Sequence, residues 1–528
     1  MKIRFPLALA AAMAAPFSVA AQEHQHAGGE LGTVAFPVTC SAAAQTQMHR
    51  AVAMLHSFWF PEARKTFEAA ATADPSCGIA YWGVALSHFG NPMAGGSTGP
   101  SQGAGWQAAQ KGLQAGARSE RDRAYIEAAA ALFRDHDKVD ARTRMRAYEA
   151  AMQSIVQRYP QDIEAKIFHG IFMVATAPPT DLTFAQQKKA ADILIPLYKQ
   201  QPNHPGLAHY IIHAFDSPQL ADRALEAARV YANIAPAAPH AQHMPSHIFT
   251  RLGFWDESIK TNRRSADLEP TPGAKSHAGD YMVYAYLQQG RDEQALKIIQ
   301  DIAGATPSDY TPAGALASYN GLAMLARYAL ERDDWKAAAA LKLKTTTPSA
   351  EAVTHFAKGL GAARSGDVAA AKQEVAALEK NIADLVAAKD VYWPIIVDAQ
   401  RLAIASWIAH AEGRHQEALQ LARQAADKEE EVEKHPVTPG PLIPARELLG
   451  DILMVHRQPA DALAAYEATL KREPNRARTL AGAARAAKAA GKEDVAKKYY
   501  KELIALMDPL STRPELKEAK QIVLEERW

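Results

Sequence analysis

Apolar and small side chains recur every third or fourth residue along most of the chain, with charged residues between them. That spacing predicts amphipathic α-helices. The phase of the pattern resets at a fixed interval. Near the C-terminus, Leu449-Gly450, Ala462, Tyr466 and Pro474 mark one stretch. Moving 34 residues on gives Ala483-Ala484, Ala496, Tyr500 and Asp508, with Pro509 one place later. Each stretch reads as two antiparallel helices, whose small residues let the backbones approach.

The same frame recurs upstream. It fits "FPEARKTFEAAATADP" with Ala63, Phe67, Ala70 and Pro75, and "LADRALEAARVYANIAP" with Ala224, Tyr231 and Pro236. It fits again at Gly253, Ser265 and Pro270, at Gly290, Ala295 and Pro307, and at Gly413, Ala418 and Ala425. Weaker units fill residues 79–113, 119–160, 312–345 and 349–382. This period, with an aromatic on the second helix and a terminal proline, closely resembles the tetratricopeptide family. The resemblance implies an all-α solenoid of about eleven or twelve helix pairs. Residues 46–310 would form an N-terminal array, 311–433 central helical repeats, 434–511 a Pro-rich loop with C-terminal units, and 512–528 a capping helix.

Two stretches break the rhythm, Gly90–Gly105 and the proline-rich Lys434–Gly450. Each is expected to be a linker, with a lid over a groove as the alternative. Residues 1–21 read as an export signal, with a basic "MKIR", an apolar core and small residues before the cleavage point. A periplasmic compartment is the expectation, with residues 22–45 an extended lead-in. In an exported chain the pair Cys40 and Cys77 is a disulfide candidate. The 59 Lys and Arg against 58 Asp and Glu give no field to attract nucleic acid. No later segment is apolar for long enough to span a membrane.

The histidines fall on the repeat. His209 and His243 are 34 residues apart, as are His213 and His247. The two His-x-x-x-His pairs therefore occupy equivalent slots in consecutive units, and residues four apart share one helix face. After a shift of 37, the same slots hold Asp280 and Tyr284, and His240 matches His277. The tetratricopeptide resemblance implies that these slots line the concave groove. The neighbouring Asp216 and Arg251 would join them there, and His169 takes a related slot in an earlier unit.

Three readings follow. The pairs with Asp216 and Asp280 suit a divalent transition metal such as Zn, Cu, Ni or Fe, in one ion or two. His240, Arg251, His277 and Tyr284 suit a peptide, protein or small-molecule ligand without metal. The histidines could also simply pack between helices. "HYIIH" lacks the glutamate of the metalloprotease motif, and no phosphate loop or nucleophile elbow is present. An enzyme would need an open coordination position and a base, for which Asp216 and Asp280 are the candidates. Cleavage after Ala21 would leave Gln22-Glu23-His24, an amine, two amides and an imidazole suited to Cu(II) or Ni(II), with His26 beyond.

"HYIIHAFD", "HAQHMPSHIFTRLGFW", "MLHSFW" and "CGIAYWG" also resemble a group of exported bacterial tetratricopeptide proteins, over roughly residues 36–310. That resemblance implies fold and compartment, and no reaction. The leading expectation is an exported repeat protein whose groove binds a metal or ligand. A metal-dependent enzyme and a protein-interaction scaffold are the alternatives.

Overall fold

The structure, a computed structural model, describes residues 30–303, 319–342 and 345–525. The export signal, the Gln22-Glu23-His24 motif with His26, Pro307 and the boundary expected at 310/311 lie outside the described residues.

Among the described residues the chain is helical throughout, with twelve successive helix pairs and a closing helix at Pro514–Glu525. This is the all-α tetratricopeptide-like solenoid that the repeat implies. The aromatic of the frame sits where predicted. The Tyr466 ring lies over Gly450 and Gly482, so close that a Cβ at either would come within 2.6 Å of it. The lead-in is shorter than expected. The first helix already starts at Ala42, with the Ser41 side chain accepting the Ala44 N–H as its cap. Cys40 is disulfide-bonded to Cys77, with 5.2 Å between their Cα atoms. The bridge ties the lead-in to the start of the second pair.

Buried apolar residues form two clusters. One runs from Leu31 to Phe249 and the other from Trp255 to Ala519. They meet at the unit that carries His243 and His247.

A solenoid held only by nearest neighbours would leave the C-terminal units free of the rest. Here they pack back on the middle of the chain. Trp255 Nε1 donates to the Asn475 carbonyl at 2.9 Å, Arg476 donates to the Tyr284 hydroxyl at 3.0 Å, and Arg513 pairs with Asp292 at 2.6 Å. The Lys434–Gly450 stretch is not a linker either. Its first half lies across the groove, and Arg327 donates to the carbonyls of Gly440 at 2.7 Å and Pro441 at 2.6 Å. Four prolines within 436–444 remove N–H donors there, leaving carbonyls that need partners from elsewhere.

Candidate metal centre

The first helices of three consecutive pairs line the groove: Pro205–Ala214, Pro239–His243 continued by Pro245–Arg251, and Pro272–Gln288. Pro245 opens the second run as a first-turn proline, and Met244, with helical dihedrals, joins that run to Pro239–His243. His243 and His247 therefore still face the same side.

The six histidines gather into two trios. His209, His213 and His240 form one, and His243, His247 and His277 the other, with the potential ligand atoms of each within 4.8 Å of one another. Each trio takes a His-x-x-x-His pair from one unit and the leading histidine of the next. The repeat thus builds the same arrangement twice. It ends on both sides: Gly206 occupies the leading slot one unit earlier, and Asp280 and Tyr284 replace the pair one unit later. The trios adjoin, with ring centres 5.8 Å apart for His240 and His243 and 5.9 Å for His213 and His247.

The outer ring nitrogens of three of the six are committed. His209 Nδ1–H donates to the His56 carbonyl at 2.6 Å. His243 Nδ1–H donates to Asn262 Oδ1 at 2.6 Å. The Asn262 amide cannot be turned round, because its Nδ2 donates to the Ser258 carbonyl at 2.8 Å. His247 Nδ1–H donates to Asp216 Oδ2 at 2.8 Å, and the Asn320 side-chain nitrogen stands 3.4 Å from His277 Nδ1. At His209, His243 and His247 the acceptors fix the tautomer that leaves Nε2 as a lone pair, as around metal-bound imidazoles.

The consequence is sharpest at His243 and His247, whose Nε2 atoms face each other at 2.9 Å. With both Nδ1 protons spent, neither ring has a proton to place between them. His209 and His240 repeat the approach, Nε2 to Nε2, at 3.2 Å. His213 is buried with neither ring nitrogen hydrogen-bonded. Burial pushes all six imidazoles below their ordinary pKa, His247 and His277 to about 3, so protonation does not resolve the lone-pair contact at neutral pH.

The sequence-predicted carboxylates stand outside both trios. Asp216 accepts from His247, Arg251 (2.9 Å) and Lys434 (2.9 Å), and these cations hold it well below the usual carboxylate range despite its burial. It orients a histidine and is no free base. Asp280 is paired with Arg327 at 2.9 Å, and burial raises its pKa. Tyr284 is bonded to Arg476 and Glu473, away from both trios. Arg251 is paired with Asp216 and lines a small cavity with Glu433 and Glu473, and His169 is buried outside both trios. His240 and His277, expected as ligand contacts, complete the trios instead.

Several contributors were not legible in the sequence. Phe58 packs against His209, His213 and His240 with ring centres 4.5, 5.8 and 5.1 Å away. It holds a left-handed φ of 52°, an unusual conformation for a bulky side chain. Tyr281 stands 4.9 Å from His243 and 5.1 Å from His247, and its hydroxyl donates to the Thr438 carbonyl at 3.2 Å. The strap 434–441 supplies Lys434, Val437 and Thr438 from more than 150 residues away.

A cavity of about 750 Å³ opens beside the centre, lined by His213, Asp216, Lys434, Tyr319, Tyr392 and Trp393 among others. Of the six histidines only His213 reaches its wall. Two further groups stand apart. His56 and His204 flank Glu164 at 2.7 and 2.9 Å in a closed, buried network. His410, His415 and His456 form a trio nearer the surface.

No family model matches the chain, and no curated protein matches it. Among solved structures, it is similar to the APC/C hetero-tetramer Cut9-Hcn1, at 12% identity and a TM-score of 0.35, over 91% of this chain and 89% of that one. It is similar to the human IFIT1 dimer with m7Gppp-AAAA, at 11% identity and a TM-score of 0.40, over 81% of this chain and 90% of that one. The P58(IPK) TPR domain gives 16% identity and a TM-score of 0.21, over 69% of this chain and 99% of that one. Nothing of their ligands or partners transfers to this chain.

Proposed function

We propose that the protein is an exported transition-metal-binding solenoid whose groove holds metal in two adjoining three-histidine sites. The observation that carries this reading is the 2.9 Å approach of the His243 and His247 Nε2 atoms, both with their Nδ1 protons committed elsewhere. Two lone pairs at that distance repel, and a metal ion between them turns the contact into ligation. The bare, buried nitrogens of His213 support the same reading, since buried polar atoms without partners are costly. A peptide groove is less well supported here, because the strap 434–441 of the chain itself lies across these repeats.

The cavity at His213 favours a second reading, a metal-dependent enzyme. A small molecule there would approach the first trio from the side of His213. The two candidate bases are both held in ion pairs, so a base for such a reaction would have to be metal-bound water.

The test is metal analysis of untagged protein followed by zinc titration of single and double variants. His213→Ala and His240→Ala belong to one trio. The second removal should add little to the first, because the site is already broken. His213→Ala and His247→Ala belong to different trios, and their effects should add. Wild-type metal content in the His213→Ala/His247→Ala double variant would overturn the proposal.

A further inference from the structure

We infer that the two trios hold copper(I), one ion in each, as a single dinuclear unit. This rests on the metal-binding reading above and names its metal and stoichiometry.

Charge favours univalent ions. Each trio offers three neutral imidazoles, and no carboxylate points into either. The acids that face the centre are all matched. Asp216 binds Arg251 and Lys434. Glu433 and Glu473 flank Arg251 at 3.5 and 4.0 Å. Asp280 is held by Arg327, and Tyr281 offers only a neutral hydroxyl, already donated to the strap. His435, the remaining titratable group on the strap, is pushed down to about 4 and brings no negative charge. A divalent ion in each trio would leave four positive charges with no anion to offset them. Two univalent ions leave half as many. Repulsion between the ions scales with the product of their charges, so it is fourfold smaller for the univalent pair.

The number of ligands points the same way. Three nitrogens in a buried pocket suit a univalent copper ion of low coordination number. Zinc ordinarily takes a fourth ligand, and the hard cations prefer oxygen. At His243, His247 and His277, the Tyr281 ring and the strap close the surroundings, and the second trio does not reach the cavity wall.

Duplication of the slot extends this to both sites. Both trios arise from one repeat slot, so a metal suited to one suits the other. The adjoining rings of His240 with His243 and His213 with His247 leave no side chain between the two sites.

The experiment is an anaerobic titration of the untagged full chain with copper(I) against a chromogenic copper(I) chelator. It is run in a His456→Ala background to remove the surface trio, with zinc(II) added as competitor. The expected result is two equivalents of copper(I) withheld from the chelator and not displaced by equimolar zinc. His213→Ala and His277→Ala should each withhold one equivalent. Copper X-ray absorption of the wild-type centre should report three nitrogen neighbours per ion, a readout that needs no variant. Displacement of copper by zinc, or a wild type that withholds only one equivalent and loses it in either variant, would overturn this inference and leave the metal-binding reading standing. Failure of the wild type to hold copper(I) or zinc would end both.

Discussion

Asn262 touches no ligand space, yet it decides what His243 can do. Its side-chain oxygen accepts the His243 Nδ1 proton, and its own nitrogen is anchored on the Ser258 carbonyl. Asn262→Leu should keep the apolar packing of the second helix and free the His243 ring. Outer partners of this kind typically contribute about 10–100-fold to metal affinity. We expect a loss of that order for one of two bound ions, measured by chelator competition, with helix content unchanged by circular dichroism. An unaltered affinity would mean that the tautomer is not set by Asn262. The His-x-x-x-His pairs were legible in the sequence because a helix turn puts residues four apart on one face. Asn262, Phe58 and Tyr281 were not, because nothing in a single sequence marks an acceptor on a partner helix. The carboxylates Asp216 and Asp280 were assigned to the metal by type and slot. Their arginine and lysine partners arrive from distant segments, which the register of the repeat does not report.

At the scale of elements, the strap 434–441 and the helix before it behave as one device. The helix His415–Glu429 ends on Glu429, whose Oε1 accepts the Ala445 N–H at 2.8 Å and so holds the far end of the strap. Burial raises the Glu429 pKa to about 7. A carboxyl whose folded pKa lies above its unfolded value keeps its proton in the native state while the unfolded chain releases it. Its contribution is therefore full below about pH 4.5 and is lost as pH rises through 7. Glu429→Gln keeps the acceptor and removes the charge. We expect its melting temperature to match the wild type at pH 5 and to exceed it at pH 8. A variant less stable than the wild type at pH 8 would contradict the buried-acid account. The proline run announced that these residues leave the helical pattern, and the linker expectation followed from that. Their place in the groove depends on Arg327, Asn320 and Tyr281 meeting unpaired strap carbonyls, a tertiary fact outside local pattern.

At the scale of the molecule, the repeat frame predicted an open array, and the chain closes back on itself. Arg476 sits at the closure, fully buried between Glu331 and Glu447 and bonded to Tyr284. Arg476→Met would leave two buried carboxylates without their shared cation, which costs about 3–5 kcal/mol in comparable settings. We expect a clear fall in denaturant midpoint, together with faster loss of bound metal, since the closure carries the strap. A midpoint within error of the wild type would mean that the C-terminal units contribute little to the rest. The period of 34 was readable because each unit repeats its own local packing. Contacts between units far apart in sequence, such as Trp255 with Asn475, leave no periodic trace.

The central claim concerns where metal sits in this molecule, and anomalous diffraction reads that directly. Crystals of the untagged protein as isolated, measured on either side of the iron, nickel, copper and zinc edges, should give two anomalous peaks. One should lie among the ring nitrogens of His209, His213 and His240, and the other among those of His243, His247 and His277. Ordered side chains at both trios with no anomalous density between them, in protein also offered copper(I) and zinc, would contradict the account.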